Sequence, residues 1–306
     1  LHFTNKDPDS ILIAKEQELI PGKEERTIME QMKNLAYYNG RISSIEDMMI
    51  PANDRGFYFG DGIYEVAMVF HHKIFALEDH LDRMFNSASM LRIELPYTKE
   101  EVGNLLTELI LKVESPCQFL YWQVTRGTSP RNHLFPEQVS SNLYVYSKPW
   151  KGVETSDEYR LLSITDTRFL HCNIKTLNLI PNIMAAQKAK EAGCQEAVFV
   201  RDGYVTEGSH SNVSMIKDGV FITHPLDCLI LPGTERKHMI AYCGELGILV
   251  EERAFTLEEL AEADEIIVSS TSHPSMRAME LDGKAVGMKN PELVQKLREK
   301  YLEEIN

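Results

Sequence analysis

The sequence predicts a mixed α/β protein of two domains, and three observations carry that reading. Its 306 residues suffice for one large or two ordinary domains with real cores. Amphipathic helical stretches are interspersed with short runs rich in β-branched and aromatic residues along the chain. Between the halves, "SKPWKGVETSDEY" at 147–159 combines Pro, Gly, Ser and charge with little to bury. On this reading 1–31 is an N-terminal extension, 32–150 a small α/β domain and 151–306 a larger one.

The elements follow in order. "LAYYNGRIS" at 35–43 reads as strand, Asn-Gly turn and strand. In "FALEDHLDRMFNSASMLRI" the residues Leu77, Leu81, Phe85, Ala88 and Leu91 recur at helical spacing. Thr98 and Glu101 form a capping box ahead of a second amphipathic helix. "CQFLYWQVTRG", "NLYVYSKPW" and "RLLSITDTRFL" have strand composition. "IPNIMAAQKAKEAG" starts with Pro181 and ends at Gly193, as helices do. Asp-Gly turns mark two hairpins in "EAVFVRDGYVTE" and "VSMIKDGVFITH". Helices are expected at "GTERKHMIAYCGELG", at "TLEELAEA" behind Thr256, and at "NPELVQKLREKYLEEI" behind Asn290. "ILVEERAF" and "DEIIVSST" complete the strands.

Bulk numbers exclude several functions. A formal charge of −14, without a run of Lys and Arg, argues against a nucleic-acid backbone as partner. No segment approaches the roughly 18 apolar residues of a membrane span, and the charged N-terminus lacks the apolar stretch of a secretory signal. The five cysteines, 117, 172, 194, 228 and 243, are odd in number and lack C-x-x-C spacing. They read as reduced, mostly buried thiols of a cytoplasmic protein, with no metal site expected.

Five features bear on chemistry. Lys175 stands among Ile174, Leu177, Leu179 and Ile180 in "HCNIKTLNLIPN", residues that look like a packed interior. It is either a lysine snorkelling from a strand end or an amine kept neutral enough to attack a carbonyl. Glu207, 32 residues later in "VTEGSHSN", is either a strand-end carboxylate in solvent or one that faces a ring bound between it and the lysine and holds its nitrogen protonated. "LPGTER" (231–236) and "VSSTS" (268–272), with Arg83 between core positions Leu81 and Phe85, together suffice for a phosphate monoester. The polar loop "TRGTSPRNHLFP" carries Arg126, Arg131 and His133, apt for a carboxylate. "DRGFYFGDGIYEV" sets three glycines among four aromatics within thirteen residues, either a glycine-rich hairpin packed on the core or a source of tyrosine hydroxyls.

"DRGFYFGDGIYE", "CNIKTLNL", "VTEGSHSN" and "LPGTER", in this order and spacing, resemble the fold-type IV pyridoxal-phosphate enzymes, from about residue 35 to the C-terminus. "YWQVTRGTSPRNH" and "IKTLNL" bring the likeness nearest to the bacterial D-amino-acid aminotransferases. The resemblance implies pyridoxal 5′-phosphate held in an interdomain cleft as a Schiff base on Lys175, with Glu207 at the pyridine nitrogen. It implies phosphate contacts from Arg83, the amides of Thr234 and Glu235, Ser270 and Thr271. Arg168 would lie near the ring's 3-oxygen and Leu231 on the ring face. Tyr64, Arg131 and His133 would bind the substrate carboxylate, reaching across from the other subunit of a homodimer. The implied reaction is ping-pong transamination of D-amino acids with 2-oxoglutarate or pyruvate.

The chain departs from the family pattern at three places. Gly233-Thr234-Glu235-Arg236 replaces Gly-Ile-Thr-Arg, so the phosphate contact implied there runs through backbone amides. Ser214 replaces an aromatic, and His210 replaces serine beside the expected substrate pocket. A branched-chain aminotransferase usually has Tyr where Ile180 stands and lacks the Arg-x-His loop. An aminodeoxychorismate lyase and a non-catalytic cofactor-binding protein are the remaining alternatives.

Overall fold

The computed structural model describes residues 31–306 except 154 and 157. Residues 1–30 of the expected extension, and those two positions of the expected linker, lie outside the described residues.

The first sheet begins with the hairpin of β1 (Leu35–Tyr38) and β2 (Arg41–Ser43). Its turn residues Asn39 and Gly40 both have positive φ, 44° and 93°, which the twist of a two-residue hairpin demands. A five-residue helix α1 (Arg55–Phe59), capped by Asp54, leads into β3 (Gly62–Phe70) and the short β4 (Lys73–Ile74). The glycine-aromatic stretch is therefore a helix turning into a strand rather than a hairpin, and Phe57 and Tyr58 on α1 stay exposed. Helices α2 (Leu77–Met90) and α3 (Lys99–Ile110, with the expected Thr98–Glu101 capping box) precede β5 (Gln118–Thr125) and β6 (Asn142–Pro149). The six strands pair in the order β2-β1-β6-β5-β3-β4, all antiparallel. Leu81 and Ala88 of α2 and Leu106 of α3 pack with Leu120 and Trp122 of β5.

The second sheet starts at β7 (Tyr159–Thr165). Helix α4 (Ile180–Glu191) separates it from β8 (Glu196–Arg201), β9 (Tyr204–Gly208), β10 (Asn212–Lys217) and β11 (Val220–Thr223). Then come α5 (Thr234–Glu245), β12 (Val250–Glu252), α6 (Leu257–Ala261), β13 (Glu265–Ser270), β14 (His273–Leu281), β15 (Lys284–Ala285) and α7 (Pro291–Ile305). The sheet order is β12-β11-β10-β13-β14-β7-β8-β9, with β15 on β14. Met68, Phe70 and Phe75 from the first sheet's segment share a core with Ile216, Phe221, Ile267 and Leu297 from the second.

Two expectations of burial are corrected. Ile180 is 71% exposed, because α4 turns only Ala185 and Ala189 fully inward and leaves Ile183 and Met184 outside. Of the cysteines only Cys243 is buried; Cys228 is exposed and all five are free. Among the described residues no helix is long and apolar enough to cross a membrane.

Candidate active site

The loop between β7 and α4 is tied to the first sheet by its backbone. Tyr64 N–H donates to the Lys175 carbonyl at 3.0 Å, and Leu177 N–H donates to Gly62 O at 3.1 Å. Ile63 and Thr176 form an antiparallel bridge on the side of β3 away from β5. A side chain at Gly62 would meet Val124 O at 2.6 Å and Leu177 at 2.8 Å, so only glycine lets the loop approach so closely. Ile174 enters the first core and pins the next residue. Lys175 is thereby half-buried at a cavity, its ammonium 4.2 Å from the centroid of the Tyr64 ring. Among the described residues it makes no ion pair, so the face of an aromatic ring is what compensates its charge.

The same cavity is lined by Tyr64, Arg83, Arg168, Glu207, His210, Leu231, Thr234, Glu235, Ser270 and Thr271. Eleven of the thirteen residues singled out from sequence thus converge. Arg131 and His133 do not line it; they lie in the exposed loop after β5, the Arg131 guanidinium 5.0 Å from the Phe59 ring centroid and the His133 ring tilted against it at 5.3 Å. Tyr64 stands beside Lys175 in its own chain, so of the expected carboxylate ligands only Arg131 and His133 would need a second subunit.

Glu207, at the end of β9, is buried. It accepts from Leu231 N at 2.9 Å, from Asn212 Nδ2 at 3.1 Å and from Arg168. Burial pushes its carboxyl up to about 7, opposed by the Arg168 charge and the hydrogen bonds. Arg168 holds it down only in part because that guanidinium is also bound to Asp166, at 3.0 and 2.9 Å.

Arg83 is fixed from behind. Its Nε and one terminal nitrogen donate to the two oxygens of Glu65 at 2.8 and 2.7 Å, and the other donates to Pro232 O at 3.0 Å. Glu65 is fully buried, and although burial opposes ionisation, the Arg83 guanidinium holds it down at about 2. His80 Nδ1 stands 2.8 Å from the same carboxylate. Sequence reasoning found Arg83 and missed Glu65, His80, Asp166 and Asn212. A buried arginine requires a buried carboxylate, but no spacing rule reveals that it comes from β3.

Thr234 and Glu235 open α5, whose first amides have no intrahelical acceptors. Gly233 is required just before them, since a Cβ there would fall 1.9 Å from Asn212 Oδ1. Ser270 ends β13, and Thr271 follows in the turn to β14. The Glu235 side chain is 2% exposed and both its oxygens lack partners. Burial, reinforced by the Glu304 carboxylate and opposed by Arg83, raises its carboxyl well above the ordinary range. The folded protein therefore keeps this proton where the unfolded chain has released it, and stability falls with rising pH by about 1.4 kcal/mol per unit over that range. Glu235→Gln is expected to raise the melting temperature at pH 8 and much less at pH 5. Equal shifts at both values would show that the carboxyl ionises freely inside.

A cavity with an unpaired lysine, a buried carboxylate, an arginine and a helix N-terminus is the arrangement of an amino-group-handling enzyme. Residues 62–281 match the model of the amino-transferase class IV family, and the chain belongs to that family. It is 38% identical over 256 residues to the D-alanine aminotransferase of Bacillus licheniformis, covering 83% of this chain and 90% of that protein. It is 38% identical over 274 residues to the D-alanine aminotransferase of Listeria monocytogenes serotype 4b, covering 87% and 94%. Among solved structures it superposes on the branched-chain aminotransferase of Thermoproteus uzoniensis, crystallised with norvaline, with TM-score 0.81, 25% identity and coverage of 89% and 94%. The T.th. branched-chain amino acid aminotransferase, solved with pyridoxamine 5′-phosphate, matches in fold with TM-score 0.83, 23% identity and coverage of 90% and 95%.

Proposed function

We propose that this enzyme moves the amino group of D-amino acids to a 2-oxo acid, 2-oxoglutarate or pyruvate, in two half-reactions that use pyridoxal 5′-phosphate. The observation that carries the reading is Lys175 and Glu207 facing one cavity, supported by identity to D-alanine aminotransferases. The donor set fits the cofactor: an amine without an ion pair for an aldehyde, a carboxyl for the ring nitrogen, a guanidinium and helix amides for phosphate. When bound, pyridoxal phosphate supplies an electron-accepting ring that lowers the cost of removing a substrate proton.

The residues act as follows. Lys175 would hold the cofactor at its aldehyde carbon, and its free amine would take the proton from the substrate α-carbon and return it. Glu207 holds a proton at the ring nitrogen; a carboxyl with its midpoint near neutrality shares one readily. Arg168 orients Glu207 and would contact the ring's 3-oxygen. Leu231 supports the ring face while its N–H steadies Glu207. Arg83, the amides of Thr234 and Glu235, Ser270 and Thr271 hold the phosphate. Tyr64 binds the substrate carboxylate with Arg131 and His133 from a second copy, and His210 stands at the side-chain end.

A homodimer is supported by the absence of Arg131 and His133 from the lining of their own cavity and by the exposed apolar side chains of Ile180, Ile183 and Met184. The two sheets support two domains, 32–150 and 151–306, and five free thiols support a reducing, cytoplasmic setting.

The test is half-reaction spectroscopy of the cofactor-loaded enzyme. D-alanine is expected to bleach the bound cofactor's absorption, and L-alanine, L-leucine and L-valine to leave it. Bleaching by the L-forms alone would overturn the stereochemical reading in favour of a branched-chain aminotransferase, whose fold this chain shares.

A further inference from the structure

The loop between β9 and β10 closes over a buried carboxylate that the chemistry above does not use. Glu196, the first residue of β8, is 2% exposed. Its oxygens accept from Ala197 N at 2.8 Å, Ser209 N at 3.0 Å, the Ser209 hydroxyl and the Ser211 hydroxyl at 2.7 Å. No lysine or arginine pairs with it among the described residues. The one cationisable group against it is His210, whose Nδ1 lies 3.1 Å from Glu196 Oε2 and 2.9 Å from Ser209 Oγ. A carboxylate taken out of water calls for a compensating charge.

His210 reaches from that anion to the cavity. Its side chain is 58% exposed and lines the cavity that holds Lys175, whereas Glu196 sits behind that lining. Nδ1 faces two acceptors and donates toward them, and Nε2, on the opposite side of the ring, has no partner among the described residues. The other cavity cations are committed: Arg83 to Glu65, Arg168 to Asp166 and Glu207, and Lys175 to the reaction. His210 Nε2 is the position where a second negative charge on a substrate finds a partner.

We propose that His210, braced by Glu196, is a specificity-determining residue that favours substrates carrying a side-chain carboxylate, four- and five-carbon amino and 2-oxo diacids, over D-alanine. With such a substrate the imidazole stands between two carboxylates, Glu196 at Nδ1 and the substrate's at Nε2. A methyl side chain gains nothing from that arrangement. Glu196 acts as a positioning residue, fixing the orientation of the ring. The inference rests on the transaminase reading above.

The test compares kcat/KM for D-glutamate and D-aspartate with that for D-alanine, using the cofactor-loaded enzyme. In the wild type the diacids are expected to be used at least as efficiently as D-alanine. In His210→Ser the diacid-to-alanine ratio is expected to fall at least tenfold, chiefly through KM for the diacid. Glu196→Gln should lower the ratio in the same direction, which a purely structural role, slowing both substrates alike, would not do. Competitive inhibition of the wild type by glutarate, at least tenfold tighter than by butyrate, needs no variant and tests the same contact. A ratio unchanged by His210→Ser, or glutarate no better than butyrate, overturns the assignment to His210 while D-alanine turnover persists. Absence of amino transfer from every D-amino acid would instead bring down the functional reading itself.

Discussion

Lys175→Ala is expected to reduce transamination by about 10²–10⁴-fold from lost proton transfer alone, and further from loss of the covalent route. Nothing else at the cavity replaces it. Arg83 and Arg168 are closed on buried carboxylates and stay charged, and His210 is held by Glu196. The variant should fold, because the loop is fixed by backbone bonds at 175–177 and by the burial of Ile174 rather than by the ammonium. Two measurements check this: steady-state turnover with D-alanine, and borohydride reduction of the cofactor-loaded protein followed by peptide mass analysis. The wild type should carry the cofactor on the peptide containing Lys175 and the variant should carry none. An active variant, or a label on another lysine, would refute the assignment.

Arg83→Met is expected to cost about 3–5 kcal/mol of folding stability, the usual penalty for stranding a buried charge. Glu65 is wholly enclosed, and in the wild type its carboxyl lies at about 2 because Arg83 is paired with it. A carboxyl depressed in this way contributes stability that is present above its unfolded value and is lost as pH falls toward 2. With Arg83 gone, desolvation is opposed only by His80, and the Glu65–His80 pair must take up a proton. The penalty should therefore be largest near neutrality and shrink toward pH 4. Urea unfolding of the cofactor-free proteins at pH 7 and pH 4.5 checks both magnitude and sign. A loss below about 1 kcal/mol at pH 7 would mean that water reaches Glu65.

Local rules made most of the elements legible. The Asn39-Gly40, Asp202-Gly203 and Asp218-Gly219 hairpins, the caps at Thr98, Thr256 and Asn290, and Pro181 with Gly193 around α4 are all written in short-range chemistry. Two of the longest strands were not. In β14, "HPSMRAMEL", buried Ser275 and Arg277 break any alternation, because Arg277 is neutralised by Glu265 at 2.6 Å across the sheet. In β3 the glycine-rich entry hides a nine-residue strand whose buried polar member, Glu65, serves Arg83 from a distance. Long-range charge pairing makes a core position look like a surface one. The same effect concealed the carboxylates behind the cavity, Asp166 and Glu196, while most of the expected residues lining it stood out through motif order.

The bridge between Ile63 and Thr176 has a consequence for solubility. The Lys175 loop also occupies hydrogen-bonding groups of β3 that would otherwise face outward as an open sheet border, which is a template for adhesion between molecules. Substitutions that loosen residues 174–177 should therefore bring self-association along with inactivity. Dispersal of the protein and placement of Lys175 thus depend on the same four residues.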